Sequence, residues 1–179
     1  TLALSSYSDT VGAVTIGTNG GSITSTTGVL TGSSYTFNNT SSATVSAILA
    51  GSVNLTQAGS GITILSGANT YSGTTTISGG TLSISADSQL GNAPVSATSG
   101  SIVFNGGTLN TTASFTLNAN RGIAMTGNGN INVDDSTTLT YNGIIAGSGD
   151  LTKSGAGTLV LGGNSTLSGT TTNSAGKNR

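Results

Sequence analysis

The sequence predicts an all-β solenoid of short stacked strands. Three observations predict it: a composition of strand and turn formers, short aliphatic runs at regular spacing, and a long ungapped internal repeat. Thr, Val and Ile are plentiful, 29 of the 179 residues are Gly, and the chain contains no Glu, His, Trp or Cys. β-branched residues suit a pleated surface, and the helix formers that would compete are scarce. Gly/Ser/Thr-rich chains are also found disordered, but disorder goes with low hydrophobicity and high net charge. Here aliphatic residues alternate in runs and the net charge is −1.

The runs come in order along the chain. They are Ala13–Ile16, Ser34–Phe37, Ile62–Leu65, Thr74–Ile77, Thr81–Ile84, Ser101–Phe104, Phe115–Leu117, Asn130–Val133, Thr138–Tyr141 and Thr158–Leu161. Each is bounded by Gly, Asn or Ser, which reads as strand and turn. Side chains alternate faces along a strand. That places Leu159 and Leu161 inward, and likewise Leu82 and Ile84. Ile62–Leu65 stays open: its own alternation favours Ile62 and Ile64 inward, whereas the internal repeat favours Thr63 and Leu65. Pro94 marks a loop. No segment has useful helical periodicity.

The repeat decides between architectures. Ala146 follows Ala50 by 96 residues, and 15 of the 27 positions from 50 to 76 are identical to their partners at that offset. Units too small to bury their own apolar side do so when stacked. Gly79-Gly80, Gly106-Gly107 and Gly162-Gly163 then serve corners with unusual backbone angles. Asn19-Gly20, Asn105-Gly106, Asn128-Gly129 and Asn142-Gly143 are turn signals that serve equally as hairpin turns of an antiparallel sandwich. The long repeat favours linear stacking. The expected organisation is 1–47 as N-terminal β-rich rungs or a cap. A solenoid over 48–179 follows, with repeats at about 48–84 and 144–172.

Asp150 to Gly163 resembles the autotransporter-associated β-strand repeat, also called the passenger-associated transport repeat. So does Ile64 to Leu82, with its Asn69-Thr70-Tyr71-Ser72-Gly73 core and Gly79-Gly80-Thr81-Leu82 end. Segments such as Asn105–Asn110, Asn120–Ile123 and Thr140–Ile144 are similar to stretches found between such repeats. The resemblance covers about residues 48–172. It implies a right-handed parallel β-helix in an exported passenger, carried across the outer membrane by a C-terminal barrel that this sequence does not contain. It also implies an adhesive or scaffolding role at the bacterial surface. The second copy departs from the pattern: Leu167 stands where the first has Tyr71, and Asn173–Arg179 replaces the Gly-Gly-Thr-Leu strand.

Chemistry is sparse. Four scattered cations make no footprint for nucleic acid. Without Cys there is no disulfide framework and none of the usual structural zinc sites, and the chain is compatible with export in an unfolded state. No apolar run reaches membrane-spanning length, and seven aromatics are too few for the girdles of a membrane barrel. The start at Thr1 reads as a mature or excised segment.

Asp134-Asp135 is the one adjacent acid pair, and it reads as a solvated turn because strand neighbours face opposite sides. Gly127–Asp134 is loosely like a calcium repeat, yet it lacks the carboxylate set and reads as a Gly/Asn turn. Arg121 and Lys153 are candidate surface partners of Asp134, Asp135 or Asp150. Thr74–Thr76 and Thr170–Thr172 read as outward strand faces, with ice or glycan binding as the alternative. Tyr7, Tyr35, Tyr71 and Tyr141 are candidate sugar-stacking rings that form no evident groove.

No catalytic, cofactor-binding or metal residue is assigned, and no cofactor is expected. The expectation is a non-enzymatic, secreted cell-surface adhesin or display segment, with a self-assembling extracellular filament as alternative. A glycan-binding or glycan-processing β-helix is the distant third. Partners would be other copies stacked end to end, with Lys177 and Arg179 as gatekeepers at one end, or host and cell-surface molecules. Nucleic acid and a membrane span are not expected.

Overall fold

The computed structural model describes residues 1–179. The chain winds through about eight turns of a three-faced parallel solenoid. The first rung carries β1 (Leu2–Ser5), β2 (Asp9–Thr10) and β3 (Ala13–Ile16), and the second β4 (Gly21–Ser25), β5 (Val29–Thr31) and β6 (Ser34–Phe37). The third carries β7 (Ala43–Val45), β8 (Ile48–Ala50) and β9 (Leu55–Gln57), and the fourth only β10 (Ile62–Leu65) and β11 (Thr75–Ile77). The fifth has β12 (Thr81–Ile84), a 3₁₀ turn at Asp87–Leu90 and β13 (Thr98–Phe104). The sixth has β14 (Thr108–Thr111), β15 (Phe115–Leu117) and β16 (Arg121–Met125). The seventh has β17 (Gly129–Val133), β18 (Thr138–Tyr141) and β19 (Ile145–Gly147), and the eighth β20 (Leu151–Ser154), β21 (Thr158–Leu161) and β22 (Thr166–Leu167). β23 (Thr171–Asn173) and β24 (Lys177–Asn178) begin a ninth.

One face is a nine-stranded sheet from β1 to β23 and the second an eight-stranded sheet from β3 to β22. The third face is split into β2-β5-β8 and β15-β18-β21-β24. Every pairing is parallel, for example Leu109 with Ile131 and Ile102 with Ile123. No hairpin forms, so the Asn-Gly pairs turn corners and the antiparallel sandwich is excluded. The last residues also join the stack: Lys177 pairs with Thr158, where the sequence suggested no strand.

The core is a set of columns running along the axis. Ala43, Thr63, Leu82, Leu109, Ile131 and Lys153 form one, and Tyr35, Leu55, Thr75, Ile102, Ile123 and Ile145 another. Stacking puts each aliphatic residue against its equivalents above and below, so one continuous apolar interior serves all rungs. Leu82, Ile84 and Leu159 are buried as alternation requires, and Leu161 is partly buried against the core. Thr63 and Leu65 point in, whereas Ile62 and Ile64 are 48% and 40% exposed. The repeat therefore predicts the register of this strand correctly and the local alternation does not. The inward site of Thr63 is tolerable because its Oγ1 donates to buried Asn39 Oδ1 at 3.0 Å.

The two sequence repeats lie on different faces. Leu55–Gln57 belongs to the eight-stranded sheet and its equivalent Leu151–Ser154 to the nine-stranded one. Ile62–Leu65 and Thr158–Leu161 are displaced in the same sense, from the nine-stranded sheet to the third face. Local contacts are nevertheless kept. Thr74 N donates to Asn54 Oδ1 at 2.9 Å in the first copy, and Thr170 N to Asp150 Oδ1 at 2.7 Å in the second. Gln57 Nε2 donates to Gly59 O at 2.9 Å, and Lys153 Nζ to Gly155 O at 2.7 Å. The repeat thus encodes a succession of strands and corners, and any face of the prism accepts it.

Candidate functional site

One rung breaks the regularity. On the two long sheets a residue meets its partner 19 to 23 positions later, but Thr81 pairs with Thr108 and Thr75 with Ile102, a step of 27. The extra chain leaves the ladder between Ser85 and Ala97. Backbone that leaves a sheet loses its hydrogen-bond partners, and each buried orphan is costly. Arg121, at the start of β16, supplies them. Its Nη2 donates to Gly91 O at 2.6 Å and Asp87 O at 3.2 Å, and its Nη1 to Leu90 O at 3.0 Å and Asn92 O at 3.4 Å. Its Nε and Nη2 hold the Asp87 carboxylate at 2.9 and 3.2 Å. The guanidinium is 2% exposed. Burying it is tolerable because its donors form a fixed fork and all of them are used.

Further bonds fasten the segment. Asn69 Nδ2 donates to Gln89 O at 2.6 Å, Gln89 Oε1 accepts Ser85 N at 2.7 Å, and Asn120 Nδ2 donates to Pro94 O at 2.9 Å. Gly91 takes φ +75° directly over the carbonyl and ring of Tyr71, a position where a Cβ has neither room nor a relaxed backbone. The result is an arch over residues 92–97 with Val95 fully exposed at its crest. One flank is a groove of about 530 Å³ lined chiefly by Asn54, Ser72, Thr74, Asn92, Ser99 and Ser101. On the other side of Thr98–Gly100 lies a small apolar pocket of about 130 Å³ with Ala97, Ala124, Ile144 and Ala146 in its wall.

Comparison with known sequences fits this architecture. The model of the passenger-associated-transport-repeat family matches residues 55–84 and 151–176. This chain carries two passenger-associated transport repeats. It is also similar to the adhesin BmaC autotransporter of Brucella suis biovar 1 (strain 1330), with 40% identity over 121 residues, 68% of this chain. The matched stretch spans 3% of that protein's length. No solved structure matches.

In this stack of passenger repeats and the rungs between them, most of the residues singled out in the sequence take unexpected places. Arg121 and Lys153 do not pair with Asp134, Asp135 or Asp150 at the surface; both are buried. Lys153 donates to Ser154 O, Gly155 O and Ala175 O at 2.6, 2.7 and 3.0 Å, and burial lowers its pKa. The alternation from Leu151 already places Lys153 inward, a signal that its charge obscured. Thr75, expected on an outward face, is buried and bonds the Tyr71 hydroxyl at 2.7 Å, whereas Thr170, Thr171 and Thr172 are exposed.

Tyr35, Tyr71 and Tyr141 are buried and so cannot stack on sugars; Tyr7 alone is exposed. Tyr35 donates to corner carbonyls of Leu30 and Ala50, and Tyr141 to Arg121 O at 2.7 Å. Burial pushes the Tyr71 and Tyr141 hydroxyls up to about 12.

The acids do not converge. Asp134 accepts Asn110 and Asn132 Nδ2 at 2.9 and 3.3 Å, while Asp135 sits in an exposed turn followed by Ser136 at φ +60°. Gly127–Asp134 becomes β17 and its flanking turns, with Asn132 bonded to Asn110, Asp134 and Ser154 rather than to a shared centre. No group of three or more His, Cys, Asp or Glu lies together. No helix is long and apolar enough to cross a membrane.

Proposed function

We propose that the chain is a stretch of the surface-exposed passenger of a bacterial autotransporter, exported across the outer membrane and wound right-handed. It acts as a stiff spacer that displays side loops to host or cell-surface molecules. The observation that carries this reading is the pair of passenger repeats built into one uninterrupted stack. At ~4.8 Å per rung, eight rungs make a rod of roughly 40 Å. The kinship with a protein named as an adhesin supports the adhesive role. The interior supports a non-catalytic one: Asp87 is occupied by Arg121, and Asp134 by side-chain amides.

Repeat architecture also suits export. Each rung contacts chiefly its neighbours, so folding can propagate from whichever part has emerged. With no Cys, nothing cross-links the chain before it crosses.

The test displays the chain on the native passenger in cells and probes it with antibody on intact bacteria, together with binding of labelled chain to host cells. Surface labelling and saturable binding are expected. Labelling only after the cells are broken would overturn the reading. Negative-stain microscopy at rising concentration addresses the competing filament: discrete rods of constant length are expected, and long fibres with an axial repeat would replace the spacer by a self-assembling subunit.

A further inference from the structure

We propose that the groove beside the arch binds a neutral oligosaccharide carrying acetamido groups. The inference rests on the surface-display reading and names the ligand chemistry of one displayed feature.

The arch belongs to the one lengthened rung on the two long sheets. Its base, from Asp87 to Asn92, is held by six hydrogen bonds from one buried guanidinium, and Asn120 Nδ2 holds Pro94 O in the arch itself. A loop fixed this firmly presents its polar groups in one arrangement, which cuts the ordering cost of binding. The groove of about 530 Å³ falls within the ordinary range of small-ligand clefts, roughly 300–1,000 Å³.

Its lining specifies the chemistry. No charged residue contributes, since Arg121 and Asp87 are occupied with each other beneath the arch. That disfavours phosphates, acidic glycans and charged peptides, which would lose hydration without gaining a partner. The walls offer amides and hydroxyls, with Ala93, Pro94 and Val95 of the arch as an apolar side against which a sugar ring can lie. Asn54 spends its Oδ1 on Thr74 N and Asn92 spends its Nδ2 on Thr70 O. Asn54 Nδ2 and Asn92 Oδ1 are therefore left as a fixed donor and a fixed acceptor, a match for vicinal hydroxyls that both give and accept hydrogen bonds.

The apolar pocket shares Thr98, Ser99 and Gly100 with the groove. At about 130 Å³, with alanine and isoleucine walls, it suits a methyl-sized substituent such as that of an acetamido group. No aromatic ring lines either space, so a single site is weak, with a Kd of about 1 mM. A surface crowded with passengers converts weak sites into avid attachment.

The experiment titrates the full chain, labelled for amide NMR, with N,N′,N″-triacetylchitotriose, maltotriose and sialyllactose. The expected result is saturable shifts confined to Asn54, Ser72–Thr74, Asn92 and Thr98–Ser101 with the acetylated trimer. Maltotriose should bind about fourfold more weakly, the worth of one buried methyl. Sialyllactose, which carries one acetamido group together with a carboxylate, should bind more weakly than the acetylated trimer because the uncharged groove offers its charge no partner.

Ser72→Tyr fills the groove from an exposed position and should abolish the shifts. A melting temperature matching the parent shows that it folds. Shifts absent at about 10 mM ligand, scattered over other faces, or unchanged in Ser72→Tyr would overturn the proposal. Equal binding of maltotriose would overturn the acetamido assignment. None of these results touches the surface-labelling test, so the two readings fail separately.

Discussion

Arg121 Nε meets Asp87 Oδ1 at 2.9 Å although 34 residues separate them, and this contact joins the sixth rung to the one lengthened rung below it. The side chain does more than pair a charge, because four backbone carbonyls between Asp87 and Asn92, at the base of the arch, depend on the same guanidinium. Arg121→Met should therefore cost about 3–5 kcal/mol, the range for breaking a buried, hydrogen-bonded ion pair. Asp87→Asn keeps the carbonyl bonds and should cost less than half as much. Urea unfolding measures both. Limited proteolysis should find new cleavage within residues 92–97 of the Arg121 variant alone, and equal losses in the two variants would contradict this division of labour.

Asp150 accepts Thr170 N just as Asn54 accepts Thr74 N one repeat earlier. The bond needs an oxygen acceptor rather than a charge. Asp150→Asn should leave stability within about 0.5 kcal/mol of the parent, and Asp150→Ala should lose about 1 kcal/mol. Thermal melts at low and high salt check it, since an electrostatic role would make the parent's stability more salt-dependent than that of the Asn variant, and the hydrogen bond alone would not.

Lys153 stands where the first repeat has Gln57, and both donate to the carbonyl two residues on. Lys153→Gln should fold and Lys153→Met should be destabilised by about 1–3 kcal/mol through unsatisfied carbonyls. Burial lowers the folded pKa of Lys153, so the folded state binds fewer protons than the unfolded one across that interval. The parent should gain stability relative to Lys153→Gln as pH rises toward the ordinary lysine value of about 10.5. Paired urea titrations at stepped pH read this difference.

Tyr71 and Tyr141 give the opposite sign. Their folded pKa of about 12 lies above the unfolded value of 10.0, so their contribution is complete below about pH 10 and is lost as pH climbs toward 12. Each contributes up to about 2–3 kcal/mol at pH 7 relative to strongly alkaline solution. Phenolate absorbance and circular dichroism, followed together as pH is raised, check this. The buried rings should ionise in the same step as the loss of β-structure.

The inward face of β10 is Thr63 and Leu65. Leu65→Ala should cost about 2–5 kcal/mol, as for other buried leucines. Ile62→Thr and Ile64→Thr should each cost less than about 1 kcal/mol, because both side chains stand on the outward face and are roughly half exposed. Chemical denaturation of the three variants decides the register; a larger loss in either Ile variant would reverse it.

Residue pattern alone determined the fold class, most strand positions and the repeat. Strands such as Ala13–Ile16 and Thr138–Tyr141 are legible because each is a local alternation between turn signals, and the 96-residue offset is legible because stacking requires similar units. The offset even carried the register of Ile62–Leu65, which its own four residues misstate. Tertiary structure decided the rest. Which face each repeat occupies depends on the length of every rung between them, including the 27-residue one. Arg121 is buried on carbonyls of another rung, Lys153 partly on Ala175 O of the next one, and Thr75 under neighbouring rungs that enclose its contact with Tyr71. A charged or polar residue reads as surface in sequence, since burial is tolerable only when its polar atoms all find partners, and part of that supply, such as Leu90 O and Gly91 O for Arg121 or Ala175 O for Lys153, exists only once the rungs are stacked.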